Sequence, residues 1–210
     1  MFYNNPDEKQ YEKILQYLPL EMKPPESTDF AILTFVATDN LISRGLSKWD
    51  KDELPKIAKF IQGCPFTLDH EWGEVEEAQG LCFDAKVKKI EPDMSLIDQC
   101  NNKEWNQKIV KDEGYLNVEV NVAFPILSPI LNSLRYGCSG SVSLGGFVYQ
   151  EIWCPLCNTP FDDENCPHFI PNPWEKKYKE TAPYYVRKNL IDLAELSLVL
   201  IPNFKNAKLK

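Results

Sequence analysis

The chain has 210 residues, 43% of them hydrophobic and 26% charged, with a formal net charge of -8. That is enough apolar mass for one domain with a real core, and an acidic chain with no cluster of Lys or Arg excludes nucleic acid as a direct partner. No run approaches the ~18–20 apolar residues of a membrane span and the N-terminus lacks a signal-peptide layout, so a cytosolic, reducing setting without a membrane partner is expected.

Residues 5–18 read as a short helix, with Asn5 as cap, Pro6 in the first turn and Glu8 completing a capping box. Tyr11, Ile14, Leu15 and Leu18 share one face, and Pro19, Pro24 and Pro25 end the helix in an extended link. Phe30 to Thr38 is apolar and β-prone, a strand covered on both faces. A helix from Trp49-Asp50 to about Gln62 turns Leu54, Ile57, Ala58 and Ile61 inward and stops at Gly63. The next strand ends in Phe66-Thr67-Leu68-Asp69-His70.

Residues 80–90 alternate, with Leu81, Phe83, Ala85 and Val87 on one side and Asp84, Lys86 and Lys88 on the other. A polar helix near 101–112 offers Trp105 and Ile109 to the core, and Leu116, Val118, Val120 and Val122 make another half-buried strand. Ser128-Pro129 starts a helix that Gly137 ends. Residues 141–150 are the next strand, 152–180 a Cys/Pro-rich excursion and 190–201 a last apolar strand. Strands outnumber helices and interleave with them irregularly, which predicts an α+β fold built on a β-barrel or rolled sheet with peripheral helices.

Two features carry chemistry. The first joins distant segments. Serine at neutral pH needs a base to take its proton and donors to hold an oxyanion. There are only two histidines. His168 sits among cysteines, so His70 is the candidate base. Ser139, Ser141 and Ser143 alternate and so share a strand face, and Gly145-Gly146 follow. Glu195 lies inside the apolar run Leu193-Ala194-Glu195-Leu196-Ser197-Leu198-Val199; a carboxylate buried there needs a partner, and a carboxylate can orient an imidazole. Each piece also has a plainer reading: a satisfied surface histidine, a tight-packing Ser/Gly strand, a solvent-facing acid.

The second feature is local. Cys154-x-x-Cys157 and Cys166-x-His168 supply three thiolates and an imidazole, the full ligand set of a tetrahedral structural zinc site. The flanking prolines cannot build regular structure, so metal would supply missing core energy. His168 could instead be a third catalytic residue, and the cysteines could be plain reduced thiols. The remaining cysteines (Cys64, Cys82, Cys100, Cys138) are scattered, as small buried hydrophobes are. Trp174, Tyr178, Tyr184 and Tyr185 would pack the excursion.

Three stretches in order resemble the tailed-phage prohead proteases, relatives of the herpesvirus assemblins. They are Gly63-Cys64-Pro65-Phe66-Thr67-Leu68-Asp69-His70, Ser141-Val142-Ser143-Leu144-Gly145-Gly146-Phe147, and Glu195-Leu196-Ser197-Leu198-Val199-Leu200-Ile201-Pro202-Asn203 with Ala207. The likeness spans roughly residues 29–208, and some phage members carry a similar Cys/His insertion. It implies a closed, herpesvirus-protease-like β-barrel, with residues 1–28 an N-terminal helix and linker and 29–210 the protease domain, including the 152–180 insertion. It implies a serine endopeptidase that cleaves scaffold and capsid protein in the assembling procapsid, in the host cytoplasm, with a homodimer possible. His70 would be the base and Ser143 the nucleophile; Glu195 would stand where assemblin has its second histidine. One glycine more than the family pattern keeps Ser141 as an alternative nucleophile. Arg135 could assist at the oxyanion, as an arginine does in assemblins, although no motif places it. The rival functions are an inactive protease-like scaffold or shell protein and a zinc-ribbon interaction module.

Overall fold

The structure is a computed structural model and describes residues 3–19, 23–71, 78–98, 102–136, 140–162, 166–169, 184–200 and 206–210. Among these, no helix is long and apolar enough to cross a membrane. The fold is mixed α+β.

The first helix, α1 (Glu8–Leu15), starts later than expected. Asp7 is its cap, and Asp7 and Gln10 form the reciprocal box, each backbone N–H donating to the other's side chain. Asn5 and Glu8 have no part in it because Asp7 offers a carboxylate one turn before the first apolar residue. Ile14 packs on Phe30, Ile32, Phe83 and Ala123, on the outer face of the main sheet.

That sheet comprises β1 (Phe30–Asp39), β3 (Pro65–Leu68), β4 (Gly80–Ile90), β5 (Tyr115–Pro125), β6 (Val142–Gly145), β9 (Glu195–Leu198) and β10 (Lys208–Leu209). A three-stranded sheet holds β2 (Ser47–Trp49), β7 (Val148–Trp153) and β8 (Tyr185–Asp192). Four further helices, α2 (Leu54–Phe60), α3 (Met94–Asp98), α4 (Lys103–Glu113) and α5 (Pro129–Arg135), connect the strands. The order in the main sheet is β10-β1-β5-β4-β3-β9-β6. The expected barrel is not closed by a continuous ladder. Among the described residues the two edge strands meet through one antiparallel bridge, Ser141 to Lys208, flanked by hydrogen bonds from Val142 N to Ala207 O of 3.0 Å and from Leu209 N to Gly140 O of 2.6 Å.

Why these residues form these strands is visible in the core. Val118, Val120 and Val122 of β5 point inward while Asn117, Glu119 and Asn121 do not join the apolar cluster. Phe35, Phe66 and Phe124 meet at ring separations of 5.0–6.3 Å, with Leu54, Ile57 and Ile61 of the α2 region against them. Full burial of each such side chain stabilises the fold by roughly 1.5–3 kcal/mol.

Three expectations fail locally. A bulge between Cys82 and Asp84 breaks the alternation of β4, so Leu81 and Phe83 face α1 while Cys82, Ala85 and Val87 face the main core. The strand at 141–150 is two strands, because Gly146 takes φ +61° and turns the chain from one sheet to the other. The strand at 190–201 is likewise split at Leu193–Ala194 into β8 and β9. Arg187 of β8 is buried with its guanidinium over the rings of Trp49, Phe147 and Tyr149, 4.8–5.4 Å from their centroids, and so ties the smaller sheet together.

Candidate active site and metal centre

Strand order sets the site. β9 lies between β3, which it pairs in parallel, and β6, which it pairs in antiparallel fashion. The register aligns Thr67, Ser197 and Ser143 in one row and Glu195 with Gly145 in the next. Directly paired residues, and residues two apart on a strand, share a face. All five therefore lie on one side of the sheet.

His70 reaches this face from just beyond β3. Asp69 and His70 have φ of +46° and +67°, and Glu71 N donates to Leu68 O at 2.9 Å. Two successive left-handed residues closed by an i to i+3 bond make a tight turn of the I′ kind, and neither is glycine. Such strain concentrates at functional sites. The turn is pinned by Asp69 N to Leu198 O at 3.0 Å and by His70 N to Ser197 Oγ at 3.1 Å.

The ring is held by Glu195. His70 Nδ1 lies 2.6 Å from Glu195 Oε1; the imidazole is 40% exposed and the carboxylate fully buried. Glu195 Oε2 also accepts from Ser197 Oγ at 2.6 Å and from Thr67 Oγ1. Burial alone would push the Glu195 carboxyl up, but the hydrogen bonds from His70, Ser197 and Thr67 outweigh it and hold the group below its usual value. The hydrogen bond to Glu195 pushes His70 up, against the opposing effect of burial.

Ser143 is nearly buried, at 9% exposure. It stands two residues from Gly145 on the face that carries the His70–Glu195 pair, about 7 Å along the strand. Ser141 is four residues from Gly145, about 13 Å away, and belongs to the bridge with Lys208. Among the described residues no hydrogen bond joins His70 to either serine. Ser139 lies outside the described residues, as do Cys100, Cys138, Trp174 and Tyr178. Arg135 is exposed at the end of α5.

Thr67, Ser197 and the steric role of Gly145 are the parts that sequence reading did not assign. A Cβ built on Gly145 would overlap Glu195 Oε1 and lie 2.6 Å from His70 Nδ1. Gly145 is not among the residues of positive φ, so space rather than backbone conformation demands glycine there. The Glu-x-Ser spacing of β9 carried a signal for Ser197, since it puts both side chains on one face. Thr67 depends on the β3–β9 pairing, which has no local signature.

The second site lies beyond β7. A tight hairpin is closed by Cys154 N to Thr159 O at 2.9 Å and Asn158 N to Cys154 O at 3.0 Å, with Asn158 left-handed at φ +54°. Cys166 N bonds Asp162 O at 3.2 Å, and Phe161 packs between Cys154 and Cys166. The ligand atoms of Cys154, Cys157, Cys166 and His168 all lie within 4.8 Å of one another. Cys154 Sγ to His168 Nδ1 and Cys157 Sγ to Cys166 Sγ are both 3.6 Å. With metal–sulfur bonds of about 2.3 Å and metal–nitrogen bonds of about 2.0 Å, tetrahedral edges are roughly 3.5–3.8 Å. The cluster fits a structural metal, and His168 belongs to it rather than to the His70 site. No protein-family model, curated protein or solved structure matches this chain.

Proposed function

We propose that the chain is a serine endopeptidase of the prohead type, with Ser143 as nucleophile, His70 as general base and Glu195 as the carboxylate that orients it. Its substrates are scaffold and capsid protein in the assembling procapsid, in the host cytoplasm. Cys154, Cys157, Cys166 and His168 hold a structural Zn2+. One observation carries the reading: a half-exposed imidazole bonded at 2.6 Å to a fully buried carboxylate, on the same sheet face as Ser143. The local meeting of β6 with β10 supports treating the main sheet as the rolled barrel of that family.

The chemistry follows from the tautomer. Glu195 fixes the proton on Nδ1 and leaves Nε2 basic. As Ser143 Oγ bonds the peptide carbonyl carbon, its proton passes to Nε2 and the π electrons move to the carbonyl oxygen. Collapse breaks the C–N bond, and the leaving amine takes the proton from Nε2. Water then adds to the acyl carbon while Nε2 accepts its proton, and Ser143 Oγ departs with that proton restored. The serine–imidazole contact closes in the substrate complex, as such contacts commonly do.

A second reading, a protease-like scaffold or shell protein without turnover, draws on the missing His70–Ser143 hydrogen bond. A fluorophosphonate probe separates the two. We expect labelling of Ser143, lost in folded Ser143→Ala together with cleavage of co-expressed capsid and scaffold protein. A folded wild-type chain that neither labels nor cleaves overturns the peptidase reading.

A further inference from the structure

Ser197 makes two bonds that no other described side chain combines. Its hydroxyl donates to Glu195 Oε2 at 2.6 Å, on its own strand. Its oxygen accepts the backbone N–H of His70 at 3.1 Å, on the turn that follows β3. Thr67, by contrast, donates to Glu195 but does not bond the turn. Ser197 is fully buried and its oxygen is committed to these groups, so it is not placed to act on substrate. Asp69 and His70 hold left-handed conformations that side-chain-bearing residues adopt only when surrounding contacts over-determine them. The bond to Ser197 is one of those contacts.

We propose that Ser197 is a positioning residue. It fixes the carboxylate of Glu195 and the backbone of His70 to one oxygen and thereby sets the distance between the ring and its acid. This rests on the peptidase reading for its catalytic consequence, but not for its geometry. A placement role and a purely electronic role differ in sign. Removing one donor from Glu195 would concentrate its charge and, with geometry kept, push His70 further up. Loosening the turn weakens the His70–Glu195 bond and lets His70 fall back toward its ordinary value.

The test uses the full chain. Only two histidines are present, so the His70 ring can be titrated by NMR without ambiguity. In Ser197→Ala we expect the His70 titration to move down, the His70 amide to exchange faster, and fluorophosphonate labelling of Ser143, in which an O–P bond forms and fluoride leaves, to slow about 100-fold, as a misplacement of about 1 Å can do. Ser197→Thr keeps the hydroxyl and should keep the wild-type titration. Ser197→Cys retains the volume with a weak thiol donor and carries the same test should the alanine variant fail to fold. An unmoved or raised His70 titration in a folded Ala or Cys variant overturns the proposal. A lowered titration in a chain whose wild type never labels upholds the positioning role and removes the peptidase reading instead.

Discussion

Replacing Gly145 with alanine adds one methyl group where the structure has no room for it. The new Cβ would overlap Glu195 Oε1 and stand 2.6 Å from His70 Nδ1. Glu195 is fully buried and held by Thr67 and Ser197, whereas the imidazole is 40% exposed. The carboxylate oxygen, which the new Cβ meets most closely, has to shift despite its burial, and the more exposed ring swings outward as well; either movement breaks the bond between them. A hydrogen bond to a charged group is worth about 1.5–3 kcal/mol, and solvent at the exposed ring favours the lower end. Residual overpacking costs about 1–3 kcal/mol. Together the variant should lose about 3 kcal/mol, which for a chain of this size lowers Tm by roughly 6–12 °C. Calorimetry with NMR titration of His70 checks this: the melting point drops and the His70 pKa returns toward its ordinary value. A variant with wild-type Tm and an unmoved titration would show that His70 and Glu195 do not meet over Gly145.

The same pair gives stability and activity opposite pH dependence. Protonated His70, with its pKa raised, contributes fully below the ordinary 6.5 and is lost as pH climbs through the raised value. Glu195, with its pKa lowered, contributes above 4.5 and is lost as pH falls through the lowered value. The Tm gap between wild type and Glu195→Gln should thus be widest between about 4.5 and about 6.5, and a gap that does not vary with pH refutes the coupling. Cleavage needs neutral His70, so its acidic limb should sit above the ordinary histidine value and move down in Glu195→Gln. At the second site, His168→Ala or chelation should release bound zinc and speed hydrogen exchange across residues 154–169, while the His70 titration stays put; unchanged exchange on chelation rules out a metal staple.

What could be read from sequence was what depends on near neighbours. The inward face of α2 and the alternation of β5 follow from spacing alone, because burial of one face sets the period. His70 and Glu195 stood out for a similar reason: a rare imidazole, and an acid in an apolar run. The bulge at Phe83 did not stand out, since one extra residue flips the side chains beyond it to the other face with no change in composition. Nor did the breaks at Gly146 and Leu193–Ala194, where apolar runs continue across a change of sheet. Thr67 became a partner of Glu195 only through the parallel pairing of β3 with β9, a contact between residues 128 apart in the chain.

The cysteine–histidine cluster and the His70–Glu195 face are linked by the rings between them. Phe161 stacks on Tyr185 at 5.9 Å, Tyr185 lies 5.8 Å from the Arg187 guanidinium, and Arg187 sits 4.8 Å from the ring of Phe147, which follows Gly145-Gly146. This is a continuous line of packing, but coupling requires an element with two arrangements that both sites bias. Arg187 is buried among Trp49, Phe147 and Tyr149, and the structure shows one arrangement of these rings. Glu195 and His70 are fixed from the other side, by Thr67 and Ser197 in β3 and β9. Loss of metal from the hairpin is therefore expected to leave the His70–Glu195 bond in place. On that argument a metal held by the cysteine–histidine cluster would act locally, beside the small apolar cluster of Phe161 and Phe169, rather than as a switch on His70.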